Sequence, residues 1–401
     1  MNWQPPAAGV SPETELLLNC SANVRMSGER TSRIKELLRQ ELDWDYLIQL
    51  TLRHELMPLL YWQLHTISPG TVPQAYLSQL RNVFQANAAH NLFLTTELCK
   101  VFNLYQSQGI PALAYKGPAL AVSAYGDLKL RQFGDLDLLI RKEDVPKAVE
   151  LLIAEGYTSK LPLADVRAAD RVQEDYHDMF VHPDRQIMLE IHWGFSPPGQ
   201  SFKFEFDQLL ERAAPVTLNR KPILTLSAED LLVILCVHAS KHFGDCEKLK
   251  WMCDIAALID AQQEQLDWEK VISRAGESKS LRRLFLNLLL VNDLLGTSLP
   301  PEILRQARSD RTAKILIKRM RKQLFENPPV IYGPMAKHFF NLLMKDSWQD
   351  QMRYALPFMT PNATDLTHTP LPGYLHFLHY LIRPIRLAKR YSSDFFKRFI
   401  R

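Results

Sequence analysis

Apolar positions recur at helical spacing through the first hundred residues, give way to short alternating runs, and return to helical spacing beyond about residue 219. Arg33 to Gln49, with Ile34, Leu37, Leu38, Leu42 and Tyr46, predicts one helix. A second runs through His54–Met57 and restarts after Pro58 as Leu59–Trp62, and a third spans Pro73 to Gln108 and stops at Gly109. The rhythm then changes. Ile110–Tyr115 reads as a strand entering the turn Lys116-Gly117-Pro118, and Asp135–Ile140 reads as a second strand. Val145–Gly156 is a helix with Asp144 as its cap, and Met179–His182, Pro183-Asp184-Arg185 and Ile187–Trp193 form a β-hairpin. Ser227-Ala228-Glu229-Asp230 is a capping-box start for the helix Leu231–Lys241. Helical patterns continue over Leu249–Ile259, Trp268–Ser273 and Leu281–Leu295, and beyond Pro300 prolines punctuate further amphipathic segments. The division is therefore 1–108 helical, 109–218 mixed strand and helix, and 219–401 helical, an α+β or α/β organisation.

Within this frame the run Phe133-Gly134-Asp135-Leu136-Asp137-Leu138-Leu139-Ile140 stands apart. Side chains two apart on a strand leave the same face, so Asp135 and Asp137 present two carboxylates at one spot of an otherwise apolar strand. Neighbouring anions repel and resist desolvation, and a divalent cation relieves both costs. Hard oxygen ligands of this kind suit Mg²⁺, which is commonly shared with substrate phosphates. In the hairpin, Glu190 and His192 share one strand face, and an antiparallel neighbour of the Asp135 strand would bring Glu190 beside the aspartates. Three carboxylates from two strands can hold two metal ions. Upstream, Gly117 frees the backbone for close approach to phosphate, the N-terminus of the next helix favours anions, and Lys116 and Arg131 add positive charge.

The strand leading to Lys116-Gly117, then Arg131, Gly134-Asp135-Leu136-Asp137 and Glu190-Ile191-His192-Trp193, resembles the uncharacterised bacterial nucleotidyltransferases of the polymerase-beta-like superfamily. The resemblance extends through His238, Lys241-His242, Leu249-Lys250-Trp251 and Asp254 to Leu381–Leu387, covering roughly residues 35 to 390. It implies an α+β fold, a small mixed β-sheet nucleotidyltransferase core flanked by helical regions. It also implies Mg²⁺ (or Mn²⁺), a nucleoside triphosphate donor, and an acceptor that is a small molecule, sugar, peptide or protein. By the same resemblance Asp135, Asp137 and Glu190 are catalytic and bind metal; Lys116, Gly117, Arg131 and Gly134 hold the nucleotide; His192, His238, Lys241 and His242 are candidates for acceptor contact or base. One departure is that Pro118 comes after Gly117 where the superfamily usually has glycine or serine, which removes a hydroxyl from the triphosphate site. The alternative is a non-catalytic scaffold that keeps the fold and binds a nucleotide or a partner, against which the three acids argue.

Composition narrows the remaining choices. Hydrophobic residues make up 46% and charged residues 23%, as in ordinary globular proteins. No long uncharged apolar run suggests a spanning helix, and the first residues lack a secretory signal pattern. Five cysteines without a CxxC pair fit a reduced, cytoplasmic setting. The net charge of +4 conceals an uneven distribution, because residues 374–401 carry seven Lys/Arg against Asp394 and leave the rest at −2. A body of that charge offers no clear nucleic-acid groove. The basic amphipathic tail is expected to pack on the body, with peripheral membrane or acidic-partner contact as the other reading. His238, His242 and Cys246 fall at helical spacing with Cys253 nearby, but Gly244 ends the helix too early for a zinc site. Asp127 is assigned to a turn, Arg25, Arg30, Arg33 and Lys35 to a solvated helix face, and Trp44, Trp62, Trp251 and Trp268 to packing.

Overall fold

Alternation along the strands divides the molecule into two cores, one on each side of a single sheet. The computed structural model describes residues 10–24, 26–160, 176–196, 202, 204–241, 248–326 and 333–359. Its strands are β1 (Ala112–Ala114), β2 (Asp135–Ile140), β3 (Thr158–Ser159), β4 (His177–His182), β5 (Ile187–His192), β6 (Ala214–Leu218) and β7 (Lys221–Thr225). They form one sheet in the order β3-β4-β5-β2-β1-β7-β6. On β2, Leu136, Leu138 and Ile140 enter one core, joined by Leu189 and Ile191 of β5. Leu139 enters the other, larger core, made mostly of the helices from both ends of the chain. By the two-residue period of a strand, Asp135 and Asp137 share the Leu139 face. The acids therefore look toward the helical side of the sheet.

The expected antiparallel pairing of β2 with the Glu190 strand is corrected. β5 runs parallel to β2, with Asp137 opposite Glu190 and Asp135 opposite Met188. The reason is topological. The helix Val145–Ala154 carries the chain from β2 to the outer edge, and β3, β4 and β5 then meander inward as antiparallel neighbours. An odd number of strands in that meander brings β5 back in the direction of β2.

Among the described residues six α-helices precede β2. They are α1 (Pro12–Ser21), α2 (Gly28–Leu37), α3 (Trp44–Arg53), α4 (Met57–Ile67), α5 (Gln74–Ser107) and α6 (Gly117–Tyr125). The single helix expected over 33–49 is two, because the Asp43 side chain accepts from the Tyr46 backbone N–H at 2.9 Å and starts α3 afresh. The helix expected at His54–Met57 is also revised. Glu55 takes a left-handed φ of 57° and turns the chain, and Pro58 sits in the first turn of α4, where its missing N–H costs nothing. Arg30, expected on a solvated face, is buried and donates to the Leu295 carbonyl.

The hairpin β6–β7 is an element that the sequence pattern does not predict. Pro215 and Pro222 argue against strands, yet β6 lies at the sheet edge and β7 meets β1 only at Thr225. Asn219 and Arg220, both with left-handed φ, make the two-residue turn. Among the described residues no helix is long and apolar enough to cross a membrane. The basic segment 374–401, His242 and Cys246 lie outside the described residues.

Candidate active site

Gly117 sets the geometry. It lies just beyond β1 at φ +49°, and a Cβ there would stand 3.3 Å from the Asp135 carbonyl oxygen. Only glycine takes that conformation without strain. The turn brings Lys116 over the end of β2, where its Nζ donates to Asp137 Oδ1 at 2.9 Å. The same oxygen receives the Tyr115 hydroxyl at 3.4 Å and faces His192 Nε2 at 3.2 Å. His192 Nε2 is also 3.2 Å from Glu190 Oε2. Asp137, Glu190 and His192 each offer a ligand atom, all within 4.8 Å of one another.

Asp137 Oδ2 is buried and has no hydrogen-bond partner. A buried carboxylate oxygen left in this state is costly, and a cation beside it removes the cost. The donor set of carboxylates and an imidazole thus fits a divalent metal. Burial opposes ionisation of Asp137, but Lys116 and His192 outweigh it and hold this carboxyl well below the usual carboxylate range. Burial and the charge of Asp137 push Asp135 up. Burial also opposes the Glu190 carboxylate, yet His192 and Lys116 draw it below its ordinary value. Burial, reinforced by Asp137, raises the Tyr115 hydroxyl and keeps it neutral, as a donor.

These groups line a cavity of about 660 Å³ whose lining residues run from Glu55 to Trp251. The sheet supplies Lys116, Asp135, Asp137, Glu190 and His192, with Arg131 and Gly134 from the approach to β2. The helices Ala228–Lys241 and Leu249–Ala261 supply His238, Lys241, Lys250 and Trp251, and the turn after α3 supplies Glu55. Trp251, assigned to packing from the sequence, is a wall of this cavity and meets the His238 ring edge-on at 5.7 Å. Lys241 donates to the Phe195 carbonyl and lies 4.7 Å from the Tyr176 ring, and burial lowers its ammonium to about 7.

Arg131 is placed in the wall, but its Nε and Nη2 bind Asp254 at 2.7 and 2.9 Å, and both residues are buried. Its charge thus reaches the cavity already neutralised. Asn91 of α5 holds the segment just before it, donating to the carbonyls of Leu128 and Arg131. Asp127 caps the short turn 128–130, in agreement with its reading as a turn residue.

Sequence reasoning misses the wall from the N-terminal region. Glu55 binds both Lys248 and Lys250 across the cavity, and His177 stacks on His192 with ring centroids 5.3 Å apart. A charged residue held in a left-handed conformation is the one local oddity at Glu55, and it leaves no pattern in the sequence.

The model of an uncharacterised nucleotidyltransferase family matches residues 40–296. The chain belongs to that family, and it is accordingly a transferase with an α+β fold. No curated protein matches it. Among solved structures it is similar to the antibiotic-resistance factor ANT(2'')-Ia at 15% identity and a TM-score of 0.32, over 45% of this chain and 89% of the other. It is also similar to an antigenic nucleotidyltransferase-like protein from Paracoccidioides brasiliensis at 13% identity and a TM-score of 0.31, over 51% and 93%. Likenesses as distant as these carry no weight for the chemistry of the site.

Proposed function

We propose that this protein transfers a nucleoside monophosphate from a nucleoside triphosphate to an acceptor hydroxyl, releasing pyrophosphate, with Mg²⁺ (or Mn²⁺) held by Asp135, Asp137 and Glu190. The observation that carries the reading is the convergence of Asp137, Glu190 and His192, with one buried Asp137 oxygen uncommitted beside Lys116. A divalent cation bound there would supply positive charge to the phosphoryl oxygens. Lys116 and the N-terminus of α6 at Gly117 are suited to grip the triphosphate and to stabilise charge moving onto pyrophosphate. Glu190, an anion at neutral pH, accepts the acceptor's hydroxyl proton at a carboxylate oxygen, and His192 orients it through Nε2. Arg131 gives the wall its shape rather than net charge, because Asp254 balances it. Across the cavity, His238 and Lys241 face the acceptor, a hydroxyl-bearing small molecule, sugar, peptide or protein.

Calorimetric titration of the full chain with each nucleoside triphosphate, with and without Mg²⁺, tests the reading. Binding should require Mg²⁺ and disappear in a folded Asp135→Asn/Asp137→Asn double variant. Binding that ignores both the metal and the double substitution would overturn it.

A further inference from the structure

The helices Pro301–Ser309 and Arg311–Phe325 carry eight Lys/Arg against Glu302 and Asp310. Their apolar sides are already used, because Ile303 and Ala307 of the first and Leu316, Ile317, Met320 and Leu324 of the second lie in the larger core. The charges are left on the outside. On the second helix Arg311, Lys314, Lys318 and Lys322 are all exposed. Their spacing of i, i+3, i+7 and i+11 keeps them within one arc of about 80° along about 17 Å of helix. Among the described residues, the ion pairs at this face are Arg282 with Asp310 and Arg321 with Asp293, and neither uses these four cations. The chain that follows brings no excess of acid, since residues 327–332 hold none and 360–401 hold Asp365 and Asp394 against seven Lys/Arg.

A basic face alone suits any polyanion, and exposed apolar side chains beside it select among them. Ile315, 70% exposed, stands on the basic face itself, between Lys314 and Lys318. Arg282 joins Asp310, the cap of the helix Arg311–Phe325, to the Leu343 and Lys345 carbonyls, so the helix Trp348–Met359 begins close to that cap. It exposes Trp348, Met352 and Leu356 at the i, i+4, i+8 spacing of one helix face, to 70%, 56% and 56%. Stacking on the bases of a single strand needs a series of aromatic side chains, and here one aromatic is followed by two aliphatics. A bilayer interface favours tryptophan and takes up aliphatic side chains beside its charged headgroups. We propose that this face is a docking surface for an anionic lipid bilayer. The cations of Arg311–Phe325 lie over the headgroup phosphates, while Ile315, Trp348, Met352 and Leu356 enter the interface. The contact is peripheral and stands independently of the proposed transfer reaction.

The test is co-sedimentation of the full chain with phosphatidylcholine vesicles containing about one-third phosphatidylglycerol, against vesicles of phosphatidylcholine alone. The chain should bind the anionic vesicles only, and should come off as NaCl rises from about 0.1 M to about 0.5 M. Lys314→Gln/Lys318→Gln/Lys322→Gln should weaken binding by about tenfold or more, the worth of three charges at an anionic surface. Trp348→Ser/Met352→Ser should weaken it as well. Every substituted side chain is exposed, so both variants keep the fold, which thermal melting checks. No binding, or equal binding to neutral vesicles, would overturn the surface. Undiminished binding in either variant would also overturn it, and in the lysine variant would move the lipid contact to the charge of residues 374–401. Tighter binding to an oligouridine of about 30 nucleotides would overturn it in favour of a nucleic-acid surface.

Discussion

Gly117 shows how much one residue can decide. Its left-handed φ of +49° turns the chain from β1 into α6, and its missing side chain lets the turn lie against the Asp135 carbonyl. Gly117→Ala should cost about 1–2 kcal/mol of stability, the ordinary penalty of a left-handed alanine. It should also weaken triphosphate binding, because the new Cβ presses on the start of β2. Urea unfolding and nucleotide titration measure the two effects, and an unchanged midpoint would show that the turn tolerates a side chain. The glycine is legible in the sequence because it lies between a strand and a helix. Glu55 holds a comparable φ of 57° and is not, since nothing local distinguishes a glutamate that two distant lysines require from one on a helix surface.

Elements are legible where one force dominates. β2 and the helix Leu281–Leu295 have the bounds their apolar patterns predict, and α5 falls one residue inside its predicted ends. Where a cap or turn competes with periodicity, the pattern misleads. Asp43 interrupts an unbroken apolar rhythm by offering its carboxylate to a backbone N–H, and α2 and α3 separate there. In β6–β7 the prolines hide a hairpin that tolerates them by its edge position. Its turn also holds Arg220 at φ 63°, a conformation glycine adopts more readily. Arg220→Gly should therefore stabilise the protein by about 0.5–1 kcal/mol, a gain read as a higher urea midpoint at unchanged slope. A lower midpoint would mean that the arginine makes contacts worth more than the turn strain.

At the scale of the whole molecule, the cavity lined by Asp135, Asp137 and Lys241 exists because sheet and helices close on each other, and that closure buries charge. Burial lowers Lys241 to about 7 and Lys345 to about 8. An unfolded lysine keeps its proton to about pH 10, so between pH 7 and about 10 the unfolded chain binds more protons than the folded one. The unfolding free energy contributed by these two lysines therefore rises with pH over that window, and the penalty of burying their charges is fully present below pH 7. Urea unfolding of Lys241→Met across the same range at fixed ionic strength should give a flatter profile than the wild type. Parallel profiles would place the charge in a better-solvated state than its burial implies.

The order of residues along the chain was enough to single out Asp135, Asp137, Lys116 and Glu190, which the fold brings to the lining of one cavity. A strand's two-residue period and a turn's need for glycine are local rules that leave local traces. The parallel course of β5, the pairing of Arg131 with Asp254 and the meeting of Glu55 with Lys248 and Lys250 had to wait for the fold. Each joins positions far apart in the chain, and the energy that selects them comes from burying charges and apolar faces together, which no short segment can do alone.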